Sequence, residues 1–327
     1  MLLDHDFQQD EALKHLTNAY AQSTLSTSYL FSGAHGLGKK ELALELGCMV
    51  NCVTETFEHG CPCNSCRKIR EGIHPDLRIL GDDLQERSIK IKDVREAQTW
   101  LHFKPYEGTY KILIIRDAER MTTEAQNAFL KTLEEPPAHS IIILTVSNSL
   151  LLLPTILSRV TEIRLRPFTS DSIKAHLERQ YGLTGEGDFI AYLSGGSYEK
   201  AKMIVESGVM EERNKILQHF CARTIFTYLK EFESSSYRGL QEKLKVVLDV
   251  IAFIIRDLLA IVQNGTCEFL INSDYREQLT VIAQSSDART LVTILDDIRD
   301  IQSYIDKNVN AKMIVTSLMV IMGKVVG

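Results

Sequence analysis

The chain has 327 residues, of which 44% are hydrophobic and 24% are charged, and its formal net charge at pH 7 is −6. This length allows two or three domains, and the composition is ordinary for a globular protein. The negative charge excludes a broadly basic protein that wraps nucleic acid, but it leaves room for a local basic patch. We expect no signal peptide, because residues 1–6 turn acidic at once, and we therefore expect a cytoplasmic protein.

Short β-rich runs alternate with helical patterns in the first half of the chain. The predicted strands are residues 28–32, 77–80, 111–115, 141–146 and 161–165. Residues 112–115 and 141–144 are apolar without interruption, which is typical of parallel strands that helices cover on both faces. We therefore predict an open α/β sheet with helices on both faces. His74 and Asp76 are expected to lead into the second strand rather than to form a catalytic pair.

The helix between the third and fourth strands can be predicted closely. Thr123 and Gln126 have the spacing of a capping box, so we expect the helix to begin at this pair. Phe129 and Leu133 fall on one face of it. Pro136 and the proline after it end the helix, because proline cannot continue the backbone hydrogen bonds.

The β signal fades after residue 167, and the remaining pattern is helical. We predict three domains: an α/β core over residues 1–168, a small helical lid over residues 169–208 and a helical oligomerisation domain, or collar, over residues 209–327. The most apolar window, residues 246–262, is interrupted by charged residues. We therefore predict that it is a helix buried in a bundle and not a membrane span.

Residues 33–40, Gly-Ala-His-Gly-Leu-Gly-Lys-Lys, have the frame of a phosphate-binding P-loop except at the last position. Gly33, Gly36 and Gly38 permit the tight turn, and Lys39 is the candidate contact for phosphate. A P-loop ends in Ser or Thr, whose hydroxyl ligates Mg²⁺, whereas Lys40 places an ammonium group there. The alternative is a glycine-rich turn without a ligand, and the sequence leaves nucleotide binding open between the two.

The second motif of a nucleotide site is altered as well. In an ATPase, an apolar strand is followed by acidic residues that hold Mg²⁺ and polarise water. Here the strand at residues 112–115 is followed by Arg116, whose guanidinium group cannot ligate a metal. Two independent metal contacts are missing, so we expect that this chain does not hydrolyse ATP with Mg²⁺.

Four of the seven cysteines lie close together in the sequence, at Cys52, Cys61, Cys63 and Cys66. This usage indicates a metal site in a cytosolic protein rather than a disulfide framework. Four thiolates favour tetrahedral Zn²⁺, and a closed shell of four ligands gives the metal a structural role. We predict a zinc module at about residues 48–70, with Cys48 as a reserve ligand. The alternative is a cluster of free thiols.

Four segments follow one another in the order found in bacterial clamp-loader subunits of the AAA+ family. They are residues 33–39, 116–121, 127–137 and 155–159. The run Leu-Lys-Thr-Leu-Glu-Glu-Pro-Pro within the third segment is the most specific of them. The chain resembles this family strongly over its first half, up to about residue 170, and only in length and pattern over the helical remainder.

The resemblance implies a role for Arg159, which ends the motif at residues 155–159. In this family the arginine reaches the γ-phosphate of ATP on the neighbouring subunit and acts as an arginine finger in trans. The resemblance also places Glu199 where an ATP-hydrolysing subunit carries a sensor arginine. Together with Lys40 and Arg116, Glu199 separates this chain from the ATP-hydrolysing gamma/tau subunits. Outside its motif, Arg159 would be an ordinary surface arginine.

The resemblance therefore implies a non-hydrolysing stator in a hetero-oligomeric ring that forms part of DNA polymerase III. Its partners would be the gamma/tau and delta subunits and, through the ring, the sliding clamp and primer–template DNA, with no membrane involved. One alternative is an active AAA+ ATPase of the same clamp loader with an unusual metal shell. Another is a stand-alone zinc- or DNA-binding module with a vestigial P-loop.

Overall fold

The computed structural model describes residues 10–54, 58–82, 88–183, 185–233, 240–264, 270–306 and 311–326. The chain divides into two compact units. The first is Met1–Phe168 together with Ser197–Glu199, and the second is Thr169–Gly196 together with Lys200–Gly327. The further division of the helical half into a lid (169–208) and a collar (209–327) stays a prediction.

A five-stranded parallel sheet forms the centre of the first unit. Its strands are β1 (Ser28–Ser32), β2 (Leu77–Leu80), β3 (Lys111–Ile115), β4 (Ser140–Val146) and β5 (Thr161–Arg164). Their order across the sheet is β2-β3-β4-β1-β5, and all the pairings are parallel. The predicted α/β sheet is thus confirmed, with β4 beginning one residue earlier and β5 ending one residue earlier than expected.

Helices cover both faces of this sheet. They are α1 (Asp10–Ala21), α2 (Lys39–Asn51), α3 (Asn64–Arg70), α4 (Ile91–Leu101), α5 (Thr123–Glu134) and α6 (Pro154–Leu157). Ile112 and Ile114 pack into a core with α1, α2 and α3, whereas Leu113 and Ile115 pack into a second core with α4, α5 and α6. Successive side chains of a strand point to opposite faces, so a strand buried on both faces must be apolar throughout.

Helix α5 begins at a different cap from the one that the sequence suggested. Thr122, whose backbone is extended, is the N-cap, and its side chain accepts a hydrogen bond from the N–H of Ala125. Thr123 is already the first helical residue, so the predicted capping box with Gln126 is wrong. The Gln126 amide instead donates to the carbonyl of Met121 and accepts from the N–H of Leu153. The Gln126 side chain is therefore engaged in a tertiary contact with Leu153 and does not form a capping box.

Over its described residues, the second unit consists of helices and the turns that connect them, without a β-strand. Its helices are α7 (Ser170–Tyr181), α8 (Gly187–Ser194), α9 (Tyr198–Glu206, which begins in the segment counted with the first unit), α10 (Val209–Cys221), α11 (Ile225–Glu233), α12 (Leu240–Asn264), α13 (Arg276–Ala283), α14 (Ala288–Asp306) and α15 (Ala311–Val326). The apolar window at residues 246–262 lies within α12, as predicted, and most of its aliphatic side chains are buried. Over the described ranges, no helix combines the length and apolar character that crossing a bilayer requires.

A buried polar network joins α10 and α12 of the second unit. The fully buried guanidinium group of Arg213 donates from Nε and Nη2 to Oδ1 of Asn272, at 3.1 and 3.0 Å, and forms an ion pair with Asp274. The Asn272 amide in turn donates to Oδ2 of Asp257 at 2.8 Å. Burial raises the pKa of Asp257, against the lowering effect of the hydrogen bonds that it accepts from Ile271 and Asn272. The buried polar side chains of Arg213, Asn272 and Asp257 thus all have hydrogen-bond partners, without which their burial would be costly.

Candidate nucleotide and metal sites

The P-loop follows β1 and leads directly into α2. Gly36 and Gly38 have φ of 76° and 80°, in the left-handed region that glycine adopts without strain. The Lys39 ammonium group is turned back onto its own loop, where it donates to the carbonyls of Gly33 and Ala34. Burial lowers the pKa of Lys39, although nearby carboxylates act in the opposite direction. The lysine predicted to contact phosphate is therefore held by the main chain of the loop.

One face of the loop is in contact with residues 197–199, which belong to the first unit. The Ser197 hydroxyl donates to the carbonyl of Gly36 at 3.3 Å. A Cβ atom on Gly36 would lie 2.1 Å from Oγ of Ser197 and 2.9 Å from Cβ of Glu199, so only glycine fits at this position. The side chain of Glu199, the residue for which the resemblance predicts a sensor arginine in an ATP-hydrolysing subunit, thus lies beside the P-loop.

Lys40 and Arg116, which occupy the two sequence positions expected to ligate Mg²⁺ in an ATPase, bind the same acidic residue. The ammonium group of Lys40 lies 2.9 and 3.2 Å from the two carboxylate oxygens of Asp82, and the guanidinium group of Arg116 also binds Asp82. Burial tends to raise the pKa of Asp82, but the hydrogen bonds from Lys40 and Arg116 outweigh this effect and lower it. Lys40, Arg116 and Asp82 thus form a cluster of two cations and one anion.

Asp82 was not among the residues identified from the sequence. It follows Gly81, just after the carboxyl end of β2, and an acidic residue after a parallel strand is a signal that could have drawn attention to it. The pairing of β2 with β3 brings it to Arg116. Ser147, which follows β4, was also missed, and its hydroxyl lies 2.9 Å from Nε2 of His35 on the P-loop and 3.4 Å from Nζ of Lys39.

Arg159 lies at the other end of the sheet. It precedes β5, whereas the P-loop follows β1, and these two strands pair in parallel with Tyr29 opposite Thr161 and Ser32 opposite Arg164. About 10 Å of strand therefore separates the level of Arg159 from the level at which the P-loop begins. The structure does not bring Arg159 together with the glycines and the lysine of its own P-loop.

The Arg159 side chain is one-third exposed and is held by nearby groups of the first unit. Its Nη2 lies 2.6 Å and its Nε 2.9 Å from Oε1 of Glu134, the last residue of α5, and its Nη1 donates to the carbonyl of Thr155 at 2.8 Å. Glu134 is about half exposed. An ion pair between such exposed groups contributes at most about 1 kcal/mol to stability.

The four predicted zinc ligands converge in space. The Sγ atoms of Cys52, Cys61, Cys63 and Cys66 all lie within 4.8 Å of one another, and Cys52 is 3.6 Å from Cys61 and 3.9 Å from Cys63. Four thiolates around Zn²⁺ at about 2.3 Å are about 3.8 Å apart, so this donor set fits tetrahedral zinc. Cys48 is not a member of this group, and its thiol donates to the carbonyl of Cys66 at 3.5 Å.

The thiols differ in how readily they ionise. Burial opposes ionisation of Cys63, but hydrogen bonds from the N–H groups of Cys66 and Val53 lower its pKa to about 6. Burial raises the pKa of Cys66, and it raises the pKa of Cys48 to about 12. Cys63 is also the N-cap of α3, where the positive end of the helix favours a thiolate. A cation is the group that would offset the cost of ionising the buried thiols.

Comparison with known proteins agrees with this architecture. The parallel sheet, the P-loop frame after β1 and the helical second unit define an α/β protein with a helical C-terminal half. A family model described as "DNA polymerase III, delta subunit" matches residues 8–169, and a second, "DNA polymerase III, delta subunit, C terminal", matches residues 208–322. The chain therefore belongs to the DNA polymerase III delta-subunit family, and the resemblance to clamp-loader subunits that the motifs predicted is confirmed.

The similar proteins differ in how much of this chain they match. The DNA polymerase III subunit delta' of Bacillus subtilis (strain 168) is 25% identical over 324 residues, which are 96% of each chain. The tau subunit of Escherichia coli (strain K12) is 33% identical over 171 residues, 52% of this chain but only 26% of that protein. Among solved structures, a gamma subunit-related protein of Thermotoga maritima is 24% identical, with 95% of this chain and 97% of that chain covered and a TM-score of 0.42.

Proposed function

We propose that the chain is a non-hydrolysing stator subunit of the bacterial sliding-clamp loader in DNA replication, and that it supplies Arg159 in trans to a neighbouring ATPase subunit. The observation that carries this proposal is the position of Arg159 at the opposite end of the sheet from its own P-loop. An arginine in that position lies away from a phosphate that its own P-loop would hold, so the target we propose for it is a phosphate bound by an adjacent subunit.

The state of the nucleotide site supports the non-hydrolysing part of the proposal. Lys40 and Arg116 both bind Asp82, so two cations occupy the positions from which a hydroxyl and a carboxylate would hold Mg²⁺. Without that metal, the charge that develops on the transferred phosphoryl group has no counterion. Glu199 beside Gly36 adds a negative charge to the same place.

The proposed partners are the gamma/tau and delta subunits in a hetero-oligomeric ring, and through the ring the sliding clamp and primer–template DNA. Cys52, Cys61, Cys63 and Cys66 would hold Zn²⁺, whose role is to tie α2 to α3 without taking part in chemistry. In the ring, the γ-phosphate of the adjacent ATP would compete with Glu134 for the Arg159 guanidinium group. A phosphate with several negative charges is the stronger partner.

The test is a contrast between two variants in a clamp loader reconstituted with gamma/tau and delta subunits. Arg159→Ala should slow hydrolysis at one neighbouring site, where an arginine finger contributes about 10³–10⁵ in rate, and clamp loading with it. The total ATPase rate should therefore fall by the share of one site and not to zero. Arg164→Ala, which removes a largely exposed arginine of β5, is the matched control and should change neither rate.

Lys39→Ala should have a far smaller effect than Arg159→Ala, and the isolated chain should hydrolyse no ATP at any Mg²⁺ concentration. If Lys39→Ala cripples the loader while Arg159→Ala is harmless, the chain is an active ATPase. If the chain does not enter the ring at all, the reading as a stand-alone zinc- or DNA-binding module takes its place.

A further inference from the structure

Glu45 and Arg70 lie next to the cysteine cluster, and we infer that they are positioning residues that hold Cys61 within reach of the metal. The inference rests on the zinc site proposed above. It concerns two residues that are not ligands themselves and that no motif in the sequence marks.

Glu45 lies in the middle of α2, and its side chain is only 3% exposed. Its carboxylate holds the segment before Cys61 at two successive residues. Oε1 lies 2.8 Å from Nδ1 of His59 and accepts a hydrogen bond from the N–H of Gly60 at 3.4 Å. A buried carboxylate is costly unless it is paired, and an aliphatic residue would pack in α2 without that cost. The contacts of this carboxylate with His59 and Gly60 therefore indicate that its role is to hold the segment before Cys61 in place.

Arg70 completes the link to the cysteine itself. It is the last residue of α3, and its Nε and Nη2 lie 3.3 and 3.2 Å from the Glu45 carboxylate. Its Nη1 donates to the main-chain carbonyl of Cys61 at 2.6 Å. One guanidinium group thus joins α2, α3 and the main chain of a metal ligand.

Cys61 depends on this link more than the other three cysteines do. Cys52 directly follows α2, Cys63 is the N-cap of α3, and Cys66 lies within α3. Cys61 lies outside these helices and next to Gly60, whose φ is 79° and whose Cα has open space beside it. A ligand outside a helix or strand has more conformational freedom to lose when the metal binds, and outer groups that orient it beforehand reduce that cost.

The experiment measures the zinc affinity of the full chain by competition with a chromogenic chelator. We expect Glu45→Gln and Arg70→Met each to weaken zinc binding by about 10–100-fold, the usual effect of losing an outer group that orients a ligand. The double variant should be little weaker than the worse single variant, because the two residues act through one chain of contacts. Arg70→Lys provides a milder change, since an ammonium group cannot reach both Glu45 and Cys61 as the forked guanidinium does.

Lys68→Met is the matched control. Lys68 is also on α3 and forms an ion pair at 2.8 Å, but its partner is Glu107, away from the cysteines. The control should leave zinc affinity within about twofold of that of the unaltered chain, well below the loss expected for an orienting group. Binding of Co²⁺ gives a second readout, since loss of the Cys61 thiolate changes the absorption of the tetrahedral cobalt–thiolate site, which a general loss of stability does not.

The outcomes distinguish the positioning role of Glu45 and Arg70 from zinc binding itself. If the unaltered chain binds zinc tightly and the Glu45 and Arg70 variants bind it as tightly as Lys68→Met does, the inference is wrong and the zinc site stands. If the unaltered chain takes up no zinc, the zinc proposal fails and this inference fails with it. Should Glu45→Gln not fold, Arg70→Met and Arg70→Lys decide between these results.

Discussion

Replacement of Asp76 tests how much a single buried carboxylate contributes to the stability of the first unit. The Asp76 carboxylate is fully buried before β2 and accepts hydrogen bonds from the N–H groups of Tyr106, Glu107 and Gly108, at 2.7, 2.7 and 2.8 Å. Nζ of Lys111, at the start of β3, lies 3.5 Å away. This one side chain fixes the connection between α4 and β3, so its replacement should destabilise the whole sheet.

The size of the effect follows from these contacts. Each hydrogen bond to a charged group contributes about 1.5–3 kcal/mol, but the bonds are not additive and an asparagine keeps one acceptor oxygen. We expect Asp76→Asn to lower the free energy of unfolding by about 2–4 kcal/mol. Asp76→Ala should cost more, about 3–5 kcal/mol, because it leaves Lys111 as an unpaired buried charge.

The pH dependence has a defined sign. Burial tends to raise the pKa of Asp76, but the three N–H groups and Lys111 outweigh it, so the pKa lies below the ordinary value of 3.8. The stability that the carboxylate contributes is therefore complete above about pH 4 and is lost as the pH falls through the folded-state pKa. The difference between the native chain and Asp76→Asn should shrink only in that acidic range.

The fluorescence of Trp100 provides the signal for measuring these free energies of unfolding. This residue is the only tryptophan of the chain, and Nζ of Lys111 lies 4.1 Å from the centre of its ring, so its fluorescence reports unfolding of the first unit. Urea titrations followed by this signal should give the free energies above. The control is Glu71→Gln, which alters a half-exposed ion pair and should change stability by less than about 1 kcal/mol. An Asp76→Asn variant as stable as this control would refute the reasoning.

Two further changes test the metal site and the helical unit. Cys63→Ser should abolish tight zinc binding, as measured by elemental analysis of protein purified without chelators. Cys48→Ser should keep one equivalent of zinc, because the Cys48 thiol is not one of the four clustered thiols. Zinc retained by Cys63→Ser would show that the ligand set is wrong. Arg213→Met should destabilise the second unit by about 1–3 kcal/mol in calorimetry, since it leaves the buried Asn272 amide oxygen without its donors and removes the ion pair with Asp274. Arg299→Met, at a largely exposed position, is its control, and equal effects of the two would exclude a stabilising network.

Local chemistry explains which features could be predicted. The strands at residues 112–115 and 141–144 are apolar at every position because both faces of the sheet are covered, and this pattern is visible without any tertiary contact. The four clustered cysteines carry their own metal chemistry in the same way. The cap of α5 could not be placed, because Thr122 and Thr123 are equivalent in sequence and the contact of Gln126 with Leu153 decides between them.

The sequence by itself determined the class of fold, the altered P-loop and the four candidate zinc ligands, since each depends on residue types at short spacing. Only the tertiary structure decided which groups face one another. It brought Asp82 to Lys40 and Arg116 through the pairing of β2 with β3. It joined Glu45 to Arg70 across two helices, and it placed Arg159 at the far end of the sheet from its own P-loop. Such contacts link residues distant in the chain, and strand order and helix packing set them.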